Sequence, residues 1–306
     1  MKIAFIMDPP ANLKPQKDTS VALMQAAVNL GHEAFYFEQP DLYMSERKAW
    51  GAGKKVTDIG DAAFTLGDYE DYALGGFDAI FMRKDPPVDK AFMQTTFILA
   101  QAELDGARVL NSPSALQQYN EKMYATLFPE LTPKTFVSAS KEKIRAFVQS
   151  VERAVLKPVD MMGGYGVFVT DAKDFNLDVI IEMLTLGGKS HIIAQQFMPE
   201  IVDGDRRLIM INGELADHAL VRYPKEGSLR GNMAAGGTYA VEPVNERDRE
   251  ITSIIGPRLV KDGVYFVGLD VIGGHLIEIN HTSPTGIREI SKASGQDLAK
   301  RVIEGL

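Results

Sequence analysis

The side chains best suited to metal or phosphate chemistry lie near the C-terminus of this 306-residue chain. The stretch Phe266–Asn280 holds two segments of alternating polar and apolar residues joined through glycine, which predicts a β-hairpin. A three-residue loop, Gly273 to His275, or an equivalent bulge places Asp270 opposite Glu278, whereas a shift of one residue would exchange the two faces. One face then carries Asp270, Glu278 and Asn280. The other face is apolar and holds Leu269, Val271, Ile277 and Ile279.

The polar face of this hairpin predicts a site for a hard cation. Two carboxylates and one amide oxygen, on adjacent strands, suit Mg²⁺ or Mn²⁺ bound to phosphate. The alternative is a surface hairpin whose polar face contacts only water, an arrangement common in antiparallel sheets. The remainder of the chain favours the metal site.

A second set of residues is suited to binding phosphate. Lys157 lies at the end of the apolar strand Ala154–Lys157 and is followed by the turn residues Gly163 and Gly164, while Lys122 lies upstream. A lysine neutralises phosphate charge, and glycine lets backbone N–H groups approach phosphate oxygens. The order differs from that of the P-loop, in which the lysine follows the glycines. Taken alone, the glycine turn is also typical of an ordinary hairpin.

The segment His191–Pro199 is an apolar strand that runs into a short linker. Such a linker can supply the apolar walls and backbone hydrogen bonds that an adenine ring needs. The alternative is an interdomain strand without a ligand. The candidate nucleotide contacts in this segment are Gln195, Gln196, Phe197 and Met198.

The elements that position these residues change in character along the chain. Apolar strands that alternate with helices up to about residue 110 predict an α/β unit with a mainly parallel sheet, and ligands are expected beyond the carboxyl ends of its strands. The stretch Ser45–Asp61 has little periodicity and predicts a surface excursion. From about Asp203 onwards, strand patterns joined by glycine predict an α+β section.

Composition limits the classes of function. The net charge of −8 argues against nucleic acid or an anionic membrane as partner. The chain has no cysteine, which excludes disulfides, thiolate metal sites and cysteine nucleophiles. No apolar run has the length of a signal peptide or a membrane span, so a cytoplasmic location is expected.

The motifs occur in the order found in the ATP-grasp superfamily, and the chain most resembles the bacterial glutathione synthetases over nearly its whole length. Lys157 and the hairpin are typical of the superfamily, whereas Met82–Pro87 and Arg230–Gly237 resemble the glutathione branch. One departure is Met161, which stands where the family pattern Asp-Gly-Met-Gly-Gly has its first glycine. Gly163 and Gly164 are kept, so the loop is still expected to bind phosphate.

The resemblance implies a fold and its division. A Rossmann-like (pre-ATP-grasp) N-terminal α/β domain that binds substrate, residues 1–120, is expected to precede an ATP-grasp fold. The ATP-grasp part would comprise a small lid subdomain, residues 121–200, and a C-terminal catalytic subdomain, residues 201–306. The resemblance also implies a homodimer or homotetramer.

An activity is implied as well: ATP-dependent joining of γ-glutamylcysteine and glycine to form glutathione, ADP and phosphate through an acyl-phosphate. In that reaction Lys122 and Lys157 would bind the α- and β-phosphates. The metal would be Mg²⁺ (or Mn²⁺), and the ligands implied for it are Asp270, Glu278 and Asn280.

Further roles follow from the resemblance. Arg207 would stabilise the acyl-phosphate and the tetrahedral oxyanion; the alternative is a surface salt bridge to neighbouring aspartates. The segment Pro224–Thr238 would be a lid that excludes water, with Arg230 reaching the bound anions. The residues that would bind substrate are Arg83, Lys84, Ser283, Thr285, Gly286 and Arg288.

Two alternatives to glutathione synthesis stay open at this point. One is an ATP-grasp ligase that joins a different carboxylate and amino acid or peptide. The other is a non-catalytic regulator that binds ATP but has lost the chemistry. The joint presence of Arg207 and the three hairpin ligands argues against a regulator, because a protein that only binds ATP has less use for all four.

Overall fold

The computed structural model describes residues 1–60, 63–225 and 237–306. Within these ranges, no helix is long and apolar enough to cross a membrane. The strands of the described residues form three sheets, which follow one another along the chain.

The first sheet belongs to the α/β unit at the N-terminus. Its strand order is β3-β4-β2-β1-β6-β7, with β5 paired to β4, and the four strands β2, β1, β6 and β7 run parallel. The parallel pairing confirms the predicted α/β character. The elements are β1 (Lys2–Ile6), α1 (Thr19–Asn29), β2 (Glu33–Phe37), β3 (Leu42–Ser45), β4 (Lys48–Ile59), β5 (Phe64–Ala73), β6 (Ala79–Met82), α2 (Lys90–Leu104) and β7 (Arg108–Leu110).

The predicted surface excursion at Ser45–Asp61 is wrong, because most of it forms β4. This strand pairs with β2, β3 and β5. Its inward face gives only a weak apolar signal, since two of the buried positions are Gly51 and Gly53, which lie against the ring of Phe37. A Cβ atom at Gly53 would come within 2.2 Å of that ring. The aromatic side chain of β2 therefore fills the space that side chains of β4 would otherwise occupy.

The second sheet is antiparallel, with strand order β10-β9-β11-β8. Two helices pack on it, α5 and α6, and enclose a separate small core. The elements of this part are α3 (Pro113–Gln118), α4 (Glu121–Tyr124), β8 (Thr135–Ser138), α5 (Lys141–Ser150), β9 (Ala154–Pro158), β10 (Phe168–Thr170), α6 (Leu177–Leu184) and β11 (Ile192–Gln196).

The third sheet is antiparallel and has the strand order β15-β14-β12-β16-β17, with β13 paired to β12. Its elements are β12 (Asp205–Ile211), β13 (Glu214–Leu215), β14 (His218–Tyr223), β15 (Thr238–Pro243), α7 (Glu246–Lys261), β16 (Phe266–Ile272), β17 (His275–Asn280), α8 (Ile287–Ser294) and α9 (Leu298–Glu304). The α+β character predicted for this section is confirmed.

Hydrophobic packing joins the first sheet to the third. A single core contains side chains of β1, α1 and β2 together with side chains of β12, α8 and α9. A second core joins the third sheet to residues between 115 and 131, among them Tyr124 and Phe128. These residues pack on the third sheet rather than on the second, and the division at residues 120 and 200 stays a prediction.

Candidate functional site

Most of the predicted site residues meet in one cavity of about 720 Å³. Residues from all three parts of the chain line it: the N-terminal loop after β6, strands of the second sheet, and the polar face of the third sheet. The predicted residues in the lining are Lys122, Lys157, Gly163, Gly164, Gln195, Gln196, Phe197, Met198, Arg207, Asp270, Glu278, Asn280, Ser283 and Thr285.

The hairpin β16–β17 has the register that places its two carboxylates side by side. Asp270 lies opposite Glu278, and the next pair on the same face towards the open end is Gly268 and Asn280. The turn itself has two residues, Gly273 and Gly274, since Ile272 pairs with His275. A bulge between the turn and Asp270 restores the register, so the predicted pairing is confirmed by way of the bulge rather than of a three-residue loop.

The bulge changes which apolar side chain enters the core. Leu276 is fully buried beneath the sheet together with Leu269, Val271 and Ile279. Ile277, which was predicted for that apolar face, instead lines the cavity. The face predicted for Ile277 is therefore wrong, because the prediction assumed regular alternation up to the turn.

Asp270 lies at the centre of a network of charged side chains. Arg207 donates from Nε and from a terminal nitrogen to the two carboxylate oxygens, at 2.5 and 2.9 Å. Arg222 approaches the same carboxylate at 2.9 Å and contacts Asp205 at 2.5 Å. The amide of Asn280 also donates to Asp270, at 3.2 Å. All of these side chains are at least largely buried, so their charges are weakly screened.

The two aspartates of this network differ in pKa. Burial would raise the pKa of Asp270, but Arg207 and Arg222 hold it well below its ordinary value, which keeps this carboxylate ionised. Burial raises the pKa of Asp205 to about 6, although Arg222 partly opposes the shift. Asp270 contacts both arginines, whereas burial and the neighbouring carboxylates Asp270 and Glu278 raise the pKa of Asp205, which leaves Asp205 as the weaker acid.

Glu278 is surrounded by two lysines. The ammonium of Lys122 lies 3.7 Å from Glu278 and also donates to the carbonyl oxygen of Met161, at 2.5 Å. Burial raises the pKa of Glu278, with Lys122 and Lys157 opposing that effect. The same burial lowers the pKa of Lys157, whose ammonium contacts Gln195 Oε1 at 3.2 Å. The two lysines and this carboxylate therefore line the same cavity.

The glycine loop between β9 and β10 has the conformation that only glycine adopts readily. Gly163, Gly164 and Gly166 have φ angles of +66°, +75° and +68°. Lys122 holds the first part of the loop through Met161. Met161 has neither a positive φ nor a buried side chain, so the loop forms without a glycine at that position.

The linker after β11 forms another wall of the cavity. Gln195 is buried and donates to Thr135 Oγ1 at 2.9 Å while it accepts from Lys157. The ring of Phe197 packs under the guanidinium of Arg153, 4.5 Å from its centre. The linker side chains thus combine an apolar surface with a fixed polar residue beside a lysine.

The two basic residues after β6, both predicted to bind substrate, contact other residues of the protein. Arg83 is buried and donates to Ser20 Oγ and to the carbonyl oxygen of Pro284, each at 3.0 Å. Lys84 pairs with Asp8 at 2.8 Å. Neither side chain lines the cavity in the described part of the chain. In the structure, Arg83 links the N-terminal domain to the loop before α8.

The loop before α8 reaches the cavity with two of its predicted residues. Ser283 and Thr285 line it, and the carbonyl oxygen of Thr285 accepts from Arg207 at 3.4 Å. Gly286 has a φ of +110° and begins the helix without lining the cavity. Arg288 donates to the carbonyl oxygen of Asp18 at 2.8 Å and lies outside the lining as well.

One predicted residue, Arg230, lies outside the described residues, as does most of the segment Pro224–Thr238. The described part of the chain contains no group of three or more His, Cys, Asp or Glu side chains placed to hold a metal. The hairpin offers two carboxylates and one amide.

Four residues around the site were not predicted. Asp205 lies two positions before Arg207 on β12, so the strand period of two could have placed it on the same face. Arg222 pairs with Asp205 across neighbouring strands, a register that the sequence does not disclose. Glu121 accepts from the backbone and hydroxyl of Thr282, at 2.9 and 2.7 Å. Asn111 bonds to the start of β16.

Comparison with known proteins adds to this geometry. Residues 1–117 match the family model "Prokaryotic glutathione synthetase, N-terminal domain", and residues 121–295 match "Prokaryotic glutathione synthetase, ATP-grasp domain". The glutathione synthetase of Pseudomonas putida is 46% identical over 308 residues, which cover 100% of this chain and 97% of the relative. That of Nitrosomonas europaea is 44% identical over 311 residues, with the same coverage.

Solved structures of more distant proteins share the fold. The ATP-grasp ligase PsnB superposes with a TM-score of 0.65 at 15% identity, covering 99% of this chain and 96% of the other. A RimK domain protein from Sphaerobacter thermophilus gives 0.63 at 18% identity, covering 99% and 98%. These likenesses show an ATP-grasp fold. With the matches over its full length, the chain belongs to the prokaryotic glutathione synthetase family.

Proposed function

We propose that the chain catalyses the ATP-dependent joining of γ-glutamylcysteine and glycine, with release of ADP and phosphate. Membership of the family supports the overall reaction. The single observation that carries the proposal is that one cavity contains the lysines, the arginines and the carboxylate hairpin that such a ligation needs. The cytoplasmic location and the assembly as a dimer or tetramer stay predictions.

In this proposal the nucleotide lies between the second and the third sheets. The linker Gln195–Met198 faces the adenine, and the glycine loop with Lys122 and Lys157 faces the phosphates. Lys157 is buried with a lowered pKa because of desolvation. A phosphate group beside it would favour its charged form and so gain a strong ion pair.

The hairpin residues fit a divalent cation that is shared with phosphate. Asp270 is ionised, and Glu278 and Asn280 lie beside it on the same face. Carboxylate and amide oxygens together with phosphate oxygens make the hard, mainly oxygen coordination that Mg²⁺ and Mn²⁺ adopt. Such an ion, when bound, would neutralise charge on the β- and γ-phosphates. The choice between Mg²⁺ and Mn²⁺ belongs to the proposal.

Charge neutralisation is the main task of the protein in this reaction. A carboxylate and a phosphate are both negative, so their approach needs cations and fixed positions. Arg207 and Arg222 supply two guanidinium groups at the hairpin, and the loop with Ser283 and Thr285 approaches from the other side. We infer that Arg207 stabilises the acyl-phosphate and the oxyanion that forms when the amine attacks.

An ADP-release assay tests the proposed function. The chain is supplied with Mg²⁺ and ATP, and γ-glutamylcysteine and glycine are each omitted in turn. Release that requires both substrates, together with glutathione as product, supports the proposal. Release only with another acid and amine would instead identify a different ATP-grasp ligase. ATP binding without any release would identify a regulator.

A further inference from the structure

An amide side chain from the N-terminal domain closes the open end of the metal hairpin. Asn111 follows directly after β7 and is 5% exposed. Its Nδ2 donates to the carbonyl oxygens of Phe266, at 2.7 Å, and His281, at 2.5 Å. Its Oδ1 accepts from the backbone N–H groups of Tyr265 and Phe266, at 2.7 and 2.8 Å. One side chain thus bonds to the start of β16 and to the residue after β17.

These contacts begin where the β-ladder of the hairpin ends. Gly268 and Asn280 form the last pair between β16 and β17 in the described residues. Beyond that pair, Phe266 pairs with Ile211 of β12 on its other side. Just beyond this end of the ladder, the amide group of Asn111 bonds to the backbone of Tyr265, Phe266 and His281 in place of a further backbone pair. The separation of the strands at this end is therefore set by a residue of another domain.

The same gap lies next to the predicted metal ligands. Asn280 immediately precedes His281, and its amide contacts Asp270 at 3.2 Å. A shift of the carbonyl group of His281 would move the backbone of Asn280 with it. Metal ligands have to lie within about 0.2 Å of their preferred distances. A small shift of the backbone at the open end would therefore be enough to weaken metal binding.

We propose that Asn111 is a positioning residue for this metal site, which fixes the spacing of Asp270 and Asn280 through the backbone of Phe266 and His281. The inference rests on the metal site of the proposed function. Residues that orient metal ligands typically change metal affinity about 10- to 100-fold when they are replaced. Asn111 does not contact a ligand side chain, so the expected change lies at the lower end of that range.

The test measures Mn²⁺ binding to the full chain in the presence of ADP, by electron paramagnetic resonance and without either substrate. Asn111→Ala is expected to weaken Mn²⁺ binding about tenfold. In the metal-free protein, hydrogen exchange at the amides of Tyr265 and Phe266 is expected to accelerate. Asn111→Ser, which keeps one hydrogen-bonding group, repeats the test if Asn111→Ala does not fold.

The matched control is Ile251→Val, which removes a buried methylene in α7, a helix without a bond to Asn111 among the hydrogen bonds of this residue. This control should lose stability without a change in Mn²⁺ affinity. Equal Mn²⁺ affinities of wild type and a folded Asn111 variant would overturn the inference while leaving the proposed ligation intact. A wild-type chain that binds Mn²⁺ with ADP but forms no glutathione would overturn the ligation and not the role of Asn111.

Discussion

Arg207 and Asp270 face each other on the neighbouring strands β12 and β16, and two hydrogen bonds of 2.5 and 2.9 Å join the guanidinium to the carboxylate. The guanidinium proposed to act in catalysis is therefore bonded to a carboxylate that is proposed to bind the metal. Because both oxygens of Asp270 accept from Arg207, a metal ion that binds Asp270 would compete with these bonds.

Arg207→Lys tests the role of the guanidinium. Lysine keeps the positive charge but cannot make the paired hydrogen bonds of arginine. Removal of a donor that stabilises an oxyanion typically costs about 10²–10³ in turnover, so kcat should fall by that order while the KM for ATP changes little. Steady-state kinetics measures both constants.

The neighbouring residue provides a matched control. Arg206 contacts Asp248 and Glu242 and does not line the cavity. Arg206→Lys should lower the thermal stability. Its kcat should stay within about threefold of the wild-type value, because a residue that does not contact the reacting groups does not stabilise the transition state. Equal losses of kcat in the two variants would contradict the role given to Arg207.

Glu278→Gln tests the metal assignment. The amide keeps the shape of the side chain but carries no charge, and it can supply only one oxygen to the cation. We expect Mg²⁺-dependent turnover to be abolished and the circular dichroism spectrum to be unchanged. Glu214→Gln, at an exposed residue paired with Arg301, is the control and should retain full activity. Near-normal activity of Glu278→Gln would refute the metal site.

Lys157→Met tests the phosphate contact. A hydrogen bond to a charged group contributes about 1.5–3 kcal/mol, which corresponds to a rise of about 10- to 100-fold in the dissociation constant of ATP. Isothermal titration calorimetry measures that constant. Lys189→Met, at an exposed lysine after α6, is the control for the lost charge and should bind ATP normally. An unchanged dissociation constant for Lys157→Met would remove Lys157 from the nucleotide site.

The parts of this molecule that the sequence predicts best are those governed by local patterns. Alternation predicts the pairing of Asp270 with Glu278, because a shift of one residue would place charged side chains on the apolar face of the hairpin. The strand β4 was not predicted, because two of its buried residues, Gly51 and Gly53, carry no side chain and lie against Phe37.

Residues whose role depends on distant partners were harder to predict. Arg83 lies in a basic turn by sequence, and only the packing of the N-terminal domain on the loop at Pro284 buries it. Asn111 bonds to residues more than 150 positions away. No period or spacing reports such contacts, because they arise from the relative placement of the domains.

The pKa of Asp205 predicts a pH dependence of stability. Its value of about 6 in the folded protein exceeds the ordinary 3.8, so the folded state binds a proton more tightly than the unfolded state. This contribution to stability is full below about pH 4 and is lost as the pH rises through 6. It amounts to at most about 3 kcal/mol, at about 1.4 kcal/mol per pKa unit.

Asp205→Asn should remove that contribution. Thermal unfolding without nucleotide and metal, measured between pH 4 and 7, should show a decline for the wild type that is smaller in the variant. Asp217→Asn, at a carboxylate outside the cavity that pairs with Gln296, serves as control and should follow the wild type. Parallel curves for wild type and Asp205→Asn would contradict the raised pKa.

The transfer of one oxygen atom from substrate to phosphate tests most directly the central claim that an acyl-phosphate forms at this site. γ-Glutamylcysteine labelled with ¹⁸O in its cysteinyl carboxylate is converted with glycine and ATP, and the released phosphate is analysed by mass spectrometry. If that carboxylate is phosphorylated before the amine attacks, one ¹⁸O atom must leave with the phosphate. Phosphate that carries no label, formed together with glutathione, would contradict an acyl-phosphate at this site.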